Sequence, residues 1–234
     1  MKSLVLIIAM NVLFVLGGYS QSKVYTTTGG EMIFSFASID YDGDESGNVM
    51  RWSPVFNIQG MLNADLGERV GLFTGLAIRN VGYIYDNYQM LNDAGEQVTV
   101  KKKFRTYNLG IPVGIKIGNM KKAFIYGGYE VEFPFHYKEK TFIDEKKEKF
   151  TTWFSDRVEQ VQHGFLVGIQ LPYGANIKFK YYLSSFHNTD YLESSTGIKP
   201  YENLNTNVFY ISLNFNLFKD ADLYHKSDES KEYF

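Results

Sequence analysis

The feature that most constrains the fold of this 234-residue chain is an alternation of apolar and polar residues with a period of two. This period places successive side chains on opposite faces of a β-strand, whereas a helix repeats its apolar positions every three or four residues. The alternation recurs in eight segments: Glu31–Asp40, Arg51–Asp65, Val70–Tyr85, Lys103–Gly118, Lys122–Ile143, Phe150–Leu171, Ala175–His187 and Asn205–Phe218. We therefore predict an all-β protein with eight strands.

The connections between the segments alternate between short and long. Short turns lie at Leu66–Arg69, Asn119–Lys121 and Pro172–Gly174, and the other connections are longer, polar and rich in Asn, Asp, Gly and Ser. Short turns at one end and longer loops at the other are typical of a barrel that crosses a membrane, in which every backbone polar group is satisfied internally. The pattern predicts an eight-stranded antiparallel up-and-down transmembrane β-barrel with both chain ends on the side of the short turns.

The two faces of the predicted strands differ in chemistry. In the last segment one face carries Phe209, Ile211, Leu213, Phe215 and Leu217, and the other carries Tyr210, Ser212, Asn214 and Asn216. The polar faces of the later segments mix small and charged residues, which suits a narrow barrel interior, so the apolar faces are expected to point at lipid. The alternative is a soluble, lipocalin-like barrel with the apolar face inside.

Three prolines lie within expected strands, at Pro54, Pro112 and Pro134. A closed barrel has no edge strand on which a missing backbone N–H is harmless. We therefore expect bulges or bends at these positions.

The N-terminus has the features of an export signal. Lys2 supplies a positive charge, Leu4–Leu16 is an apolar run, and the small residues Gly18 and Ser20 precede a cleavage point before Gln21. The run is shorter than the roughly 20 apolar residues of a spanning helix, which makes a retained membrane anchor the less favoured alternative. The expected organisation is a signal peptide at residues 1–20, a periplasmic N-terminal segment at 21–30, the barrel at 31–218 and a polar periplasmic tail at 219–234.

Composition removes several classes of function. The chain has no Cys, which excludes disulfides, thiolate catalysis and a lipid anchor on a lipobox cysteine. A net charge of −2 offers no global field that attracts nucleic acid. Four scattered histidines without cysteine form no metal-site pattern. We expect no cofactor and no metal.

From Glu31 to Phe218 the rhythm of strands and turns, together with the signal peptide, resembles the small Gram-negative outer-membrane β-barrel families with eight strands. The last strand, Asn207–Phe218, resembles the recognition signal of the barrel-assembly machinery, although here a charged tail follows it. The residues of this assembly signal are Phe209, Ile211, Leu213, Phe215, Leu217 and Phe218. The resemblance implies location in the outer membrane, contact with its lipid and lipopolysaccharide, and insertion by that machinery. It implies little about activity, because such barrels include adhesins, structural anchors and lipid-modifying enzymes.

The interior of an eight-stranded barrel is narrow enough to be filled by side chains. The charged residues expected there are Arg51, Arg79, Lys116, Glu130, Glu132, Lys178 and Lys180. Because unpaired buried charge is costly, we expect them to form a structural ion network. The alternative is a polar pathway or ligand site at Glu130 and Glu132.

Two further sets of residues bear on function. Ser184, Ser185 and His187 together suggest a His–Ser enzyme that modifies lipid A, as does His136 close to Glu132, but no spacing is diagnostic and we assign no catalytic residue.

The fifth and sixth segments exceed the 9–11 residues that a spanning strand needs, which predicts an extracellular hairpin at 138–154 with an edge for a protein partner. The basic trio Lys101–Lys103 is expected either to meet lipopolysaccharide phosphates or to be a solvated rim.

We therefore expect an integral outer-membrane protein with a structural or interaction role, such as an accessory subunit of an envelope complex. The alternatives are a lipid A-modifying enzyme and a narrow small-solute porin.

Overall fold

The computed structural model describes residues 23–41, 44–45, 48–91, 95–143, 146–194 and 196–219. The strands are β1 (Lys23–Tyr41), β2 (Asp44–Glu45), β3 (Asn48–Val49), β4 (Arg51–Ser53), β5 (Ile58–Asp65), β6 (Val70–Leu91), β7 (Gln97–Asn119), β8 (Ala123–Ile143), β9 (Lys146–Trp153), β10 (Gln162–Gln170), β11 (Ala175–Tyr182) and β12 (Leu204–Lys219). The expected signal peptide at residues 1–20 and residues 220–234 of the expected tail lie outside this description. No helix within the described ranges is long and apolar enough to cross a membrane.

Eight of the strands close into a ring. The order around it is β1, β5, β6, β7, β8, β10, β11 and β12, and β12 pairs back to β1. Every pair in the ring is antiparallel. The predicted eight-stranded antiparallel up-and-down β-barrel is confirmed.

The apolar faces of the barrel point outward. On β12, Ile211, Leu213, Phe215 and Leu217 are 45–71% exposed, while Ser212 on the opposite face is completely buried. The same outward row on β7 runs from Leu109 to Ile117, with Lys116 buried inside. We call these outward-facing rows the apolar belt. Its height on β7 matches the 9–11 residues that a tilted strand needs to cross a bilayer.

The first strand begins earlier than predicted. Residues 23–30, expected to be a periplasmic segment before the barrel, belong to β1 and pair with β5, and residues 26–30 pair with β12 as well. Tyr25 and Thr27 point into the barrel and are buried. The prediction was wrong here because threonine and glycine dominate this stretch, and they give no visible contrast between two faces.

Strand two is interrupted at Pro54. β4 pairs with β1 through Ile33 and Ser53, and β5 resumes the pairing at Gly30 and Ile58, so residues 54–57 form a bulge. The expected bulge at Pro54 is confirmed.

The other two prolines behave differently from each other. The β7–β8 register shifts between Tyr107 and Asn108, opposite His136 and Pro134, which confirms a bulge at Pro134. Pro112 lies in a regular strand, and the prediction of a bulge there was wrong. Its partner strand β6 has no paired residues between Thr74 and Ala77, so the missing N–H of Pro112 falls in a gap of the ladder.

The barrel has a turn end, where the short connections lie, and a loop end. At the loop end β6, β7 and β8 continue beyond the apolar belt, and β9 pairs with β8 from Trp153–His136 to Lys146–Ile143. We call this four-stranded sheet the extension. It contains the β8–β9 hairpin that the sequence predicted at 138–154, and it converts most of the expected loop 86–102 into paired strand.

Candidate functional site

The centre of the barrel interior holds six charged side chains, which we call the central cluster. They are Glu31, Arg79, Glu130, Glu132, Lys178 and Lys180, and each side chain is at most 4% exposed. Three cations and three carboxylates make the cluster formally neutral. This balance is what allows so many charges to remain away from water.

Each ion pair of the central cluster joins two strands that are not neighbours in the ring. Arg79 on β6 pairs with Glu31 on β1, and its Nη2 lies 3.2 Å from Oε1 of Glu130 on β8. Lys178 and Lys180 on β11 continue the chain to Glu31 and, at 2.7 Å, to Oε2 of Glu130. Lys180 also pairs with Glu132. In every case one strand of the ring lies between the two paired strands, so the pairs together link β1, β6, β8 and β11 around the interior.

Neutral groups satisfy the remaining oxygens of the cluster. The Tyr182 hydroxyl donates to Glu132 at 2.8 Å, and the amide of Asn108 donates to its other oxygen at 2.6 Å. The Ser212 hydroxyl donates to Glu31 at 3.3 Å. A buried charge network is stable only when such partners are supplied, so these residues belong to it.

A separate ion pair lies nearer the turn end. Nζ of Lys116 is 2.6 Å from the Asp65 carboxylate and also donates to the Tyr25 hydroxyl at 3.1 Å and to Asn63 at 3.2 Å. Between this pair and the central cluster is a cavity of about 50 Å³. Its walls include Lys116, Arg79 and Lys178, and it has room for only a few water molecules.

Two of the residues expected in the lumen network do not join the central cluster, although one of them, Lys116, is buried in the barrel interior as predicted. Lys116 pairs with Asp65, away from the central cluster. Arg51 donates instead to the Asn80 carbonyl at 3.1 Å, and no carboxylate lies within 4.0 Å of it among the described residues. The bulge at 54–57 redirects strand two, which explains why its alternation misplaced Arg51.

Glu31 and Asp65 are lumen carboxylates that the sequence did not identify. Glu31 joins two cations of the central cluster, and Asp65 holds Lys116. Both lie on segments whose alternation is irregular. The usable signal was the isolation of Glu31 between glycine and apolar residues, since a single carboxylate in such a stretch points to a buried partner.

Above the central cluster, toward the loop end, aromatic side chains close the interior. We call Tyr83, Phe104, Tyr137, Phe186, His187 and Tyr201 the aromatic plug, and all of them are nearly inaccessible. Phe104 lies five residues beyond Leu109, so the plug lies above the apolar belt on β7.

His187 is the polar centre of the plug. Its Nε2 accepts from the Tyr83 hydroxyl at 2.8 Å while Nδ1 donates to the Arg157 carbonyl at 3.3 Å, a pattern that fits the neutral ring. The ring stacks on Tyr201 with centroids 4.2 Å apart. Burial lowers the pKa of His187 to about 3.

Glu139 seals the outer end of the plug. Its carboxylate accepts from Lys102 at 2.7 Å, from Tyr137 at 3.0 Å and from Tyr201 at 3.2 Å, and Arg157 lies 3.7 Å away. Burial acts to raise the pKa of Glu139, but the charge and hydrogen bond of Lys102 outweigh it and hold the pKa below its usual value. The interior is therefore closed by charge pairs both below and above the aromatic plug.

The residues that suggested an enzyme do not meet. The Ser184 hydroxyl accepts from the backbone N–H of His163 at 3.1 Å, and His187 is engaged as described above. His136 contacts Thr151 at 3.0 Å, and Glu132 belongs to the central cluster. Within the described residues no group of three His, Asp or Glu side chains is arranged to hold a metal ion.

Five of the six residues of the expected assembly signal, Phe209, Ile211, Leu213, Phe215 and Leu217, lie on the outer face of β12. Phe209 stacks on Phe36 of β1, with ring centroids 5.6 Å apart. The signal residues at every second position after Phe209 belong to the apolar belt. Phe218 pairs with Thr27 near the turn end. Recognition of this strand during assembly stays a prediction.

No family model matches this chain, and no curated protein matches its sequence. Several solved structures are similar. The attachment invasion locus protein Ail of Yersinia pestis, in complex with the heparin analogue sucrose octasulfate, is 9% identical with a TM-score of 0.38, covering 82% of this chain and 99% of Ail. The Neisserial surface protein A is 10% identical with a TM-score of 0.34, covering 84% and 99%. The outer membrane protein OprG from Pseudomonas aeruginosa is 12% identical with a TM-score of 0.32, covering 84% and 96%. The fold described above follows from the strand pairing of this chain itself.

Proposed function

We propose that this protein is an integral barrel of the Gram-negative outer membrane that does not conduct and that uses its loop end, on the extracellular side, to bind a partner. The predicted export signal at the N-terminus and the outward apolar belt support this location. The role is structural or interactive, as an accessory subunit of an envelope complex would require.

The observation that carries this proposal is the central cluster. All six of its side chains are buried, and their ion pairs link four alternate strands, β1, β6, β8 and β11, around the interior. A solute that passed through would have to separate these pairs in a low-dielectric interior, which is energetically costly. The aromatic plug adds a second barrier above them.

The extension supports a partner-binding role. Within the described residues β9 pairs only with β8, so its other side is an edge that displays unpaired backbone groups. Such an edge accepts a strand from another chain. The extension also stands clear of the apolar belt, where a partner outside the membrane can reach it.

Membrane fractionation with a heat-modifiable gel shift tests the location. We expect the protein in the outer-membrane fraction, with faster migration before heating than after it. Recovery in the soluble periplasmic fraction would refute the proposal.

Planar-bilayer recording tests the closed interior, for which we expect no steady channel conductance. Steady conductance would favour the narrow-porin alternative instead.

Deleting Lys140–Thr151 tests the partner surface. We expect the variant to insert normally but to lose the larger complex seen by native mass measurement of gently solubilised membranes. A matched control, Lys147→Gln/Lys149→Gln, keeps the backbone edge and removes two of its charges, so it should retain the complex. An unchanged complex after the deletion would remove the extension from the proposed role.

A further inference from the structure

The outer surface of the extension is strongly basic. On β7 the outward residues beyond the apolar belt are Tyr107, Arg105 and then Lys103. On β8, Lys138 lies opposite Arg105 and Lys140 lies opposite Lys103. Four cations therefore form two cross-strand pairs of like charge, an arrangement that destabilises a sheet unless anions neutralise it.

These four cations line one groove of about 350 Å³. Arg51 and the side chain of Trp52 form part of the same wall, and Trp52 is 58% exposed. The groove is thus bordered by cations and by an aromatic ring on the outside of the barrel. It is separate from the central cluster and from the cavity inside.

Nothing in the described part of the chain neutralises this groove. No carboxylate there lies within 4.0 Å of Lys103, Arg105, Lys138 or Lys140, although the buried lysines of the interior are all paired. Nε of Arg105 is buried and has no hydrogen-bond partner. Its guanidinium lies over the Tyr107 ring at 5.2 Å, a cation–π contact on the outer face of β7.

The electrostatics of the groove agree with this geometry. Partial burial, Arg105, Lys149 and Lys147 lower the pKa of Lys138. Partial burial and the neighbouring cations Lys147, Lys138, Arg105 and Lys103 likewise lower the pKa of Lys140. Lys147 and Lys149 lie on β9, so the positive field extends across three adjacent strands.

The height of the groove identifies the type of anion. Outward residues on β7 run from apolar Leu109 to aromatic Tyr107 and then to Arg105 and Lys103. At about 3.3 Å per residue, Arg105 lies roughly 13 Å along the strand from the end of the apolar belt. Aromatic residues mark the interface between a membrane barrel and water. Cations at the next outward position along the strand, two residues farther from the apolar belt, therefore lie at the level of lipid head groups.

We propose that this groove binds the phosphates of a phosphorylated lipid head group in the leaflet that surrounds the loop end. Arg105 and Lys138 hold one phosphate between β7 and β8, and Lys103 with Lys140 holds negative charge one step farther out. Guanidinium and ammonium groups are the usual ligands of phosphate oxygens. Trp52 lies beside the lipid below the phosphate. The inference rests on the membrane orientation proposed above.

The test uses the purified mature protein in phosphatidylcholine nanodiscs, titrated with bisphosphorylated lipid A. We expect saturable binding that is lost with lipid A from which both phosphates have been removed. The variant Arg105→Gln/Lys138→Gln should bind about 30-fold more weakly, since each basic residue near a charged membrane surface contributes about a fivefold factor in affinity. Lys121→Gln/Lys122→Gln at the turn end removes the same charge and should bind as the parent protein does.

A heat-modifiable gel shift on every sample separates the two proposals. A protein that does not insert contradicts the proposed function, whereas an inserted protein that binds both forms of lipid A equally contradicts only the lipid site. If the first variant fails to fold, Lys103→Gln/Lys140→Gln replaces it, with weaker binding again expected. Full competition by millimolar inorganic phosphate, or binding of a sulfated glycan with no preference for lipid A, would show a site for soluble anions and overturn the lipid assignment.

Discussion

Arg79 on β6 and Glu130 on β8 meet inside the barrel, with Nη2 and Oε1 3.2 Å apart, although β7 separates their strands in the wall. Glu130 also accepts a hydrogen bond from Nζ of Lys180, which lies on β11. One carboxylate therefore links three regions of the wall. The side chains around Glu130 close the interior of the barrel, and this closure can be tested by measurement.

Glu130→Gln should destabilise the barrel by about 3–5 kcal/mol, because the substitution leaves Arg79 and Lys180 buried with one carboxylate too few. The amide keeps the size of the side chain, so a cavity does not explain the loss. Urea unfolding in lipid vesicles measures the effect. The control is Glu68→Gln at the turn end, where the side chain is 89% exposed and little change is expected. Equal stability of the two variants would mean that the central cluster does not hold the barrel together.

Gly128→Ala should destabilise the barrel by roughly 1–3 kcal/mol, whereas Gly127→Ala should have little effect. A Cβ at Gly128 would lie 2.3 Å from the Val113 carbonyl oxygen, while at Gly127 its nearest neighbour is the Leu166 carbonyl oxygen at 3.7 Å. The two residues are adjacent, so each is a matched control for the other. Unfolding midpoints of both variants in the same vesicles test this, and equal midpoints would contradict the close approach of β7 and β8.

The loop-end structure around His187 should loosen as pH falls below about 6.5. The pKa of buried His187 is about 3, below its ordinary 6.5, so the opened loop takes up a proton that the closed one excludes. The stabilisation is complete above pH 6.5 and declines between 6.5 and 3 as the pH falls. Hydrogen exchange of residues 183–204 at pH 7.5 and 5.0 measures the opening.

The variant His187→Gln provides the comparison, since glutamine can hydrogen-bond but does not titrate in this range. Its exchange should depend less on pH between 7.5 and 5.0 than that of the parent protein, after correction for the intrinsic rate. The same dependence in both proteins would assign the effect to a group other than His187. Glu139 would not be that group, because its lowered pKa places its influence at more acidic pH.

The sequence predicted the barrel well where one face is continuously apolar. On β7 and β12, Ile, Leu, Val and Phe recur at every second position, so the outward face was visible without coordinates. It failed over residues 23–30, where Thr26, Thr28 and Gly30 face outward with no apolar contrast. It also missed the paired strands over residues 86–102 of the extension. Tyr88 and Val100 are buried there, but Asn, Asp, Gly, Gln and Lys outnumber such residues, so the stretch resembles a loop in composition.

The interior was predicted only in part, for a physical reason. The alternation along a strand identifies which charged side chains point inward. The partner of each one depends on the stagger, that is, on how far neighbouring strands are shifted along each other in the barrel. Glu31 and Arg79 are 48 positions apart and meet only because of that stagger. Arg51 shows the opposite failure, since four bulged residues before β5 changed its surroundings.

The most direct test concerns which face of the strands meets lipid. The chain has no Cys, so single cysteines can be introduced at four successive positions of β12, residues 211–214, and labelled with a nitroxide in lipid vesicles. Electron paramagnetic resonance then measures the accessibility of each label to oxygen, which concentrates in lipid, and to a water-soluble nickel complex. We predict high oxygen accessibility at Ile211 and Leu213 and low accessibility at Ser212 and Asn214. Oxygen-inaccessible labels at Ile211 and Leu213, with nickel-accessible labels between them, would contradict a barrel whose apolar surface faces the membrane.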